Sequence, residues 1–294
     1  MWKGNGMTQS ISSSVKEQGN KILSDFFSGD EALKPSEIST KSNPGWFTPD
    51  DVIWKVNTDS SLLVGGLSSL LLQTLHPLVM SGVSDHSDYR VDPLGRLNRT
   101  GKYVAATTFG KAEIAQQMVD TVNAIHKKII GNTPKGIDYD ATDSHLLKWV
   151  HITEVFCFLH AYQTYGPKKL DKSEMDSYVA QMSSVVKKLG VIDPPLTYSE
   201  LESDLHMFRS ECETSFQSEE ALKFLLTPSF IPATAKPAYV LVSAAALHLL
   251  PLWVRKMLLV PLPPVITPLA VKPSTKYLIK TLRWFQINPS ERAK

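Results

Sequence analysis

The sequence predicts an all-α fold: one multi-helix domain over residues 46–294, preceded by a polar arm or linker over residues 1–45. Three observations carry that prediction. From Trp46 onward, apolar residues recur at helical spacing between turn signals. Nowhere do β-branched residues alternate over a sustained strand-length run. The most apolar run, Ser60–Val83, is long enough to cross a bilayer, but Gln73, His76, Pro77 and its many serines and glycines make it a buried core helix instead.

The elements follow in order. Ser, Lys, Asp and Asn dominate residues 1–45 and leave room for at most one short helix. Thr48-Pro49-Asp50-Asp51 opens a short helix over Phe47–Val56, with Thr48 as its cap and Pro49 at its first position. Ser60–Val83 comes next, kinked or ended near His76-Pro77, because proline removes a donor and restricts the residue before it. Arg96–Phe109 and Lys111–Ile130 are helical in pattern. Ile114, Met118, Val122, Ile125 and Ile129 give the second a buried face, and Gly131-Asn132 ends it. Asp143–Tyr165, Lys172–Leu189 (closed by Gly190), Glu200–Phe216, Lys236–Val260 and Thr275–Phe285 complete the set, with no internal repeat.

Charge and cysteine usage narrow the partners. With 31 Lys+Arg against 29 Asp+Glu the formal charge is +2, which leaves no electrostatic footprint for nucleic acid. Cys157 and Cys212 stand far apart with no CxxC pair, against a zinc ribbon or a disulfide scaffold and in keeping with a reducing compartment. The first residues, MWKGNGMTQSISSS, lack the apolar core of a signal peptide, so the expectation is a soluble, cytoplasmic protein. Ala238–Pro264, broken by His248, Pro251 and Arg255-Lys256, reads as core or as a surface-seeking helix and leaves peripheral membrane contact open.

Eight histidines supply the candidate chemistry. His76, His126, His151, His160 and His248 fall within apolar helices, where most histidines are core residues satisfied by a carbonyl; His86, His145 and His206 have polar neighbours. The chain has no HExxH, CxxCH or GxSxG motif and no phosphate-cradling glycine loop, and where a di-iron bundle needs two Glu-x-x-His motifs it offers only His151-x-x-Glu154 and Glu202-x-x-x-His206, so that motif count fails. Haem b held by one histidine demands least: an imidazole on a helix facing an apolar pocket, with polar or cationic groups opposite. His126, beside Ile125 on an amphipathic helix, meets that demand.

The ordered blocks LLLQTLHPLVMSGVSDHSDYRVDPLGRLNRT, Phe109-Gly110, VNAIHKKIIG and YDATDSHLLKWVHIT resemble the signature of the MpaB-type oxygenase and rubber oxygenase superfamily. The likeness covers roughly Trp46–Tyr165. It implies an all-helical haem b oxygenase acting on a small lipophilic substrate with dioxygen. In the latex-clearing branch the proximal ligand lies in a Met-His-x-x-Val-Arg stretch, and Ile125–Ile130 looks like its counterpart, which makes His126 the implied iron ligand. The distal Arg-x-x-Lys-Thr pattern matches Arg96-Leu97-Asn98-Arg99-Thr100 except that Arg99 replaces lysine. Lysine can deprotonate and cap iron, whereas arginine stays charged. The sixth position is therefore expected to be open, water-filled, or taken by His76 or His86.

The resemblance further implies that Arg96 and Arg99 meet haem propionates or stabilise charge on the oxygen, and that Thr100 donates a hydrogen bond there. His151 would orient His126 or a propionate, or simply fill the core. Without the resemblance, the arginines read as a carboxylate-paired junction near Asp85, Asp88 and Asp92. The resulting expectation is a haem b oxygenase that cleaves C=C bonds in an isoprenoid-like chain. Its rivals are a haem hydroxylase or peroxygenase, and a non-catalytic protein that binds haem or a lipophilic ligand.

Overall fold

A computed structural model describes residues 33–259, 268–286 and 289. Twelve α-helices account for most of them: α1 (Val52–Thr58), α2 (Leu62–Gln73), α3 (Pro77–His86), α4 (Pro93–Phe109), α5 (Ala112–His126), α6 (Ser144–Tyr165), α7 (Lys172–Val186), α8 (Tyr198–Phe208), α9 (Phe216–Leu226), α10 (Lys236–Leu249), α11 (Leu252–Met257) and α12 (Pro268–Phe285). The fold is predominantly all-α, with one two-stranded antiparallel ribbon, β1 (Ile130–Asn132) and β2 (Asp138–Asp140).

The centre is the pair α2 and α6. Gly65 lets their backbones close in, since an added Cβ there would lie 3.0 Å from the Cys157 carbonyl oxygen. Leu71, Leu72 and Leu75 meet Trp149, Ile152 and Leu159 in one buried cluster. These leucines are fully buried core. α7 and α8 cover α6, α10 covers α2, and α12 packs on α10. Arg283 of α12 donates to buried Asp59 and to the Tyr165 carbonyl, fastening the last helix to the α1–α2 link. Cys157 and Cys212 are buried free thiols whose pKa burial pushes up, which fits inert core residues.

The break at His76-Pro77 is where the sequence puts it: α2 and α3 meet at 105°. Among the described residues no single helix is long and apolar enough to cross a membrane; only that bent pair has the length and composition.

Several boundaries differ from expectation. The first helix starts at Val52, not Phe47, because Asp51 rather than Thr48 stands at its cap and its carboxylate turns back to accept from the Thr48 N–H and hydroxyl. Helix α5 stops at His126, short of Ile130, because residues 130–132 leave to pair with 138–140. Its buried positions are Ala115 and Val119, and Ile125 is 51% exposed, so the buried face is turned from the predicted one. The segment predicted as Glu200–Phe216 ends at Phe208, and a separate helix, α9, begins where that prediction stops, with Ser215 as its cap. Lys236–Val260 is cut at Pro251 into α10 and α11, and Val260 lies outside the described residues, as do residues 1–32.

Residues 37–45 clasp the turn between α4 and α5. Ser39 N–H donates to the Phe109 carbonyl, Lys111 N–H to Glu37 and Ala112 N–H to Pro44. Gly45 is required there, since a Cβ would fall 2.2 Å from the Gly110 oxygen.

Candidate cofactor site

Only Gly110 and Lys111 separate α4 from α5, and the two helices pack against each other. Counting outward from that turn, Arg96 lies thirteen residues back and His126 fourteen forward of the helix ends, about 20 Å along each axis at 1.5 Å per residue. The hairpin thus brings both to the same end of the pair.

Asp92 builds the start of α4. Its carboxylate accepts from the Gly95 N–H at 2.9 Å, capping the helix, and from Arg99 Nη1 at 3.2 Å. A Cβ on Gly95 would collide with that carboxylate. Arg99 is half-exposed, and this ion pair engages it. The Thr100 hydroxyl donates to the Arg96 carbonyl within the helix.

Arg96 differs from both. It is partly buried, and among the described residues its guanidinium has neither a carboxylate partner nor a hydrogen bond. Burial pulls its pKa below the ordinary value; Tyr89 opposes that shift and Arg99 adds to it. A cation so placed lacks an anion. His126 is in a similar state: neither ring nitrogen has a hydrogen-bond partner among the described residues, Nδ1 is fully buried, and burial lowers the imidazole's basicity. Tyr89 Oη and Asn98 Oδ1 are also buried and unpartnered. These orphaned polar groups lie in the 89–126 stretch; others, His76 at the α2–α3 bend among them, lie elsewhere, and all stand out because buried polar atoms are normally hydrogen-bonded.

Of the remaining candidates, His151 and His160 are hydrogen-bonded elsewhere, His86 is exposed and His76 belongs to a separate cluster. His151 is buried in α6 and contacts Ser183 Oγ at 3.2 Å. Because the Ser183 hydroxyl donates to the Pro195 carbonyl, it must accept from His151 Nε2–H. Burial, with Lys148 adding to it, drives the His151 pKa down to about 3, so the ring is neutral. His160 Nε2–H donates to Tyr198 Oη, which donates to Glu202. His86 is exposed, edge-on to Tyr139, whose hydroxyl donates to Asp85 at 2.7 Å. His76 lies at the α2–α3 bend, facing His145 and Glu211.

One group entered the sequence reading only as part of the failed di-iron count. Glu154, a turn beyond His151 on α6, is partly buried, and burial raises its carboxyl pKa to about 7. Tyr103 on α4 and Tyr178 on α7 have pKa values raised first by their own burial and then by the Glu154 charge, so Glu154 stands near the contact of three helices. The signal was present in the sequence: an acidic residue in the middle of an apolar helix needs an account.

A model of the catalytic domain described as ER-bound oxygenase mpaB/B'/rubber oxygenase matches residues 54–284. No curated protein and no solved structure matches the chain. The matched span runs from α1 into the last turn of α12 and takes in every group described above, so the chain belongs to the mpaB and rubber oxygenase catalytic-domain family.

Proposed function

We propose that this oxygenase-family domain binds haem b through His126 and uses dioxygen to cleave C=C bonds in a lipophilic, isoprenoid-like substrate. The observation that carries the reading is the pair of unpartnered groups at one end of the α4–α5 hairpin: an imidazole with no hydrogen bond and a partly buried guanidinium with no anion. Haem b needs both kinds of group, an imidazole for its iron and a cation for its propionates. The residues present therefore fit the group. The family's oxygenase character and the rubber-oxygenase part of its description support the reaction class and the apolar substrate.

When bound, haem supplies the iron that activates dioxygen. The chain supplies the rest. His126, kept neutral by burial, offers a bare ring nitrogen as ligand. Arg96 holds its charge toward a propionate carboxylate, since guanidinium does not deprotonate in this range. Arg99 is committed to Asp92 and Thr100 to the Arg96 carbonyl, so positioning falls mainly to Arg96. Glu154, with a pKa of about 7, holds or releases a proton at its carboxyl near neutral pH.

Purified protein supplemented with haem should show a Soret band and one iron per chain, and His126→Ala should lose both while keeping its helical circular dichroism. Incubation of the reduced holoprotein with oxygen and a polyunsaturated isoprenoid should give carbonyl products by mass spectrometry. A normal Soret band in His126→Ala would refute the ligand assignment. Haem retention without any product would leave a carrier, not an oxygenase.

A further inference from the structure

A second cluster lies away from the α4–α5 hairpin. His76 at the α2–α3 bend, His145 in the first turn of α6 and Glu211 just beyond α8 bring one ligand atom each within 4.8 Å of one another. His145 Nε2 is 2.7 Å from Glu211 Oε2, and its ring stacks on Phe208 with centroids 4.4 Å apart. His76 Nε2 comes to 3.4 Å from the same carboxylate oxygen without hydrogen-bond geometry.

His76 is the unusual member. It is 2% exposed, packed near Trp149 and Phe208, and both of its ring nitrogens are buried without a hydrogen-bond partner. An imidazole left in that condition costs the fold stability that a bound partner would restore. His145 and Glu211, by contrast, are each more than a third exposed, which leaves the cluster open on one side. The backbone is braced for the arrangement: Glu213 N–H donates to the Leu75 carbonyl at 2.9 Å, tying the Glu211 segment to the residue before His76.

From this geometry we infer that His76, His145 and Glu211 form a binding site for one divalent transition-metal ion of the zinc class. Two imidazoles and a carboxylate are a standard donor set for such an ion, with solvent at the open position. Ligand atoms around zinc lie about 3.3 Å apart when each is about 2.0–2.2 Å from a tetrahedral ion, so the observed spacing needs only small side-chain adjustments. The ion would give His76 the partner it lacks. It would also cross-link three segments distant in sequence, pinning the helix bend against the α6 N-terminus. None of this uses His126 or Arg96, so the inference stands apart from the haem reading.

The test is calorimetric titration of Zn²⁺ into tag-free, full-length protein dialysed against chelator, with metal content checked by elemental analysis. One equivalent should bind and raise the thermal midpoint. His145→Ala and Glu211→Gln alter exposed side chains and should keep the fold by circular dichroism. Each should weaken binding by at least about tenfold, the lower end of what losing even an indirect support costs a metal site. His206→Ala, an exposed histidine outside the cluster, should bind as wild type. Absence of stoichiometric Zn²⁺ binding would overturn the inference, as would wild-type affinity in both His145→Ala and Glu211→Gln.

Discussion

Helix α6 and the outer end of the α4–α5 hairpin hold histidines in opposite conditions. In α6, His151 and His160 donate into chains that end on a carbonyl or a carboxylate, Ser183 to Pro195 and Tyr198 to Glu202. At the hairpin end, His126 and Arg96 face no partner at all among the described residues. The first arrangement is how a fold accommodates polar side chains in its core. The second costs stability and persists where something outside the chain supplies the missing group. The contrast separates histidines that an apolar helical pattern alone makes look alike.

Substitutions in the two regions should fail in different ways. The largest effect is expected in α6. Trp149 is fully buried, and Trp149→Ala should cost about 3–5 kcal/mol in urea unfolding. Cofactor binding should then fall only as far as the folded fraction does. A specific loss of cofactor with stability intact would erase the distinction between the regions.

Glu154 provides the next effect. Its folded pKa, about 7, lies above its ordinary 4.5, so the folded state binds this proton more tightly than the unfolded chain. The associated stability is fully present below about pH 4.5 and is lost as pH rises through about 7, up to about 3 kcal/mol in total. Glu154→Gln should flatten that part of the stability profile. An unchanged slope between pH 5 and 8 would show that the group does not titrate there.

At the hairpin end the sign reverses. Arg96→Met keeps most of the volume and removes an unmatched charge, so the cofactor-free protein should gain about 1–2 kcal/mol while haem affinity drops. A destabilised apoprotein would mean that Arg96 has a partner in solution. Smallest is Asp92→Ala, which removes the α4 cap and the Arg99 pair and should cost about 1 kcal/mol by thermal unfolding, with a slight weakening of haem binding.

The helical fold was largely legible because its punctuation is local. Pro77 breaks α2 from α3, Gly65 permits a close crossing, and Asp143 and Asp171 cap α6 and α7 through their own side chains. What could not be read depends on distant partners. Residues 130–132 look like the end of a helix until residues 138–140 compete for their backbone. Phe216 looks like the end of one helix until Ser215 is seen to cap another. For the site, the family resemblance pointed to His126 and Arg96, but not to their lack of partners, which is a property of the assembled surroundings. Nor could it reveal that His145 and Glu211, 66 residues apart, meet beside His76.

The clasp of residues 37–45 on the α4–α5 turn bears on the order of assembly. Ile38 and Gly110 form a bridge across a long loop, a contact whose closure entropy makes it late. The two helices can form and pair before it, but the Lys111 and Ala112 amides gain their Glu37 and Pro44 acceptors only when the clasp arrives. Exchange of those two amides in native protein would therefore report an opening that neither helix content nor cofactor absorbance registers: the unsealing of the turn from which the positions of Arg96 and His126 are both measured.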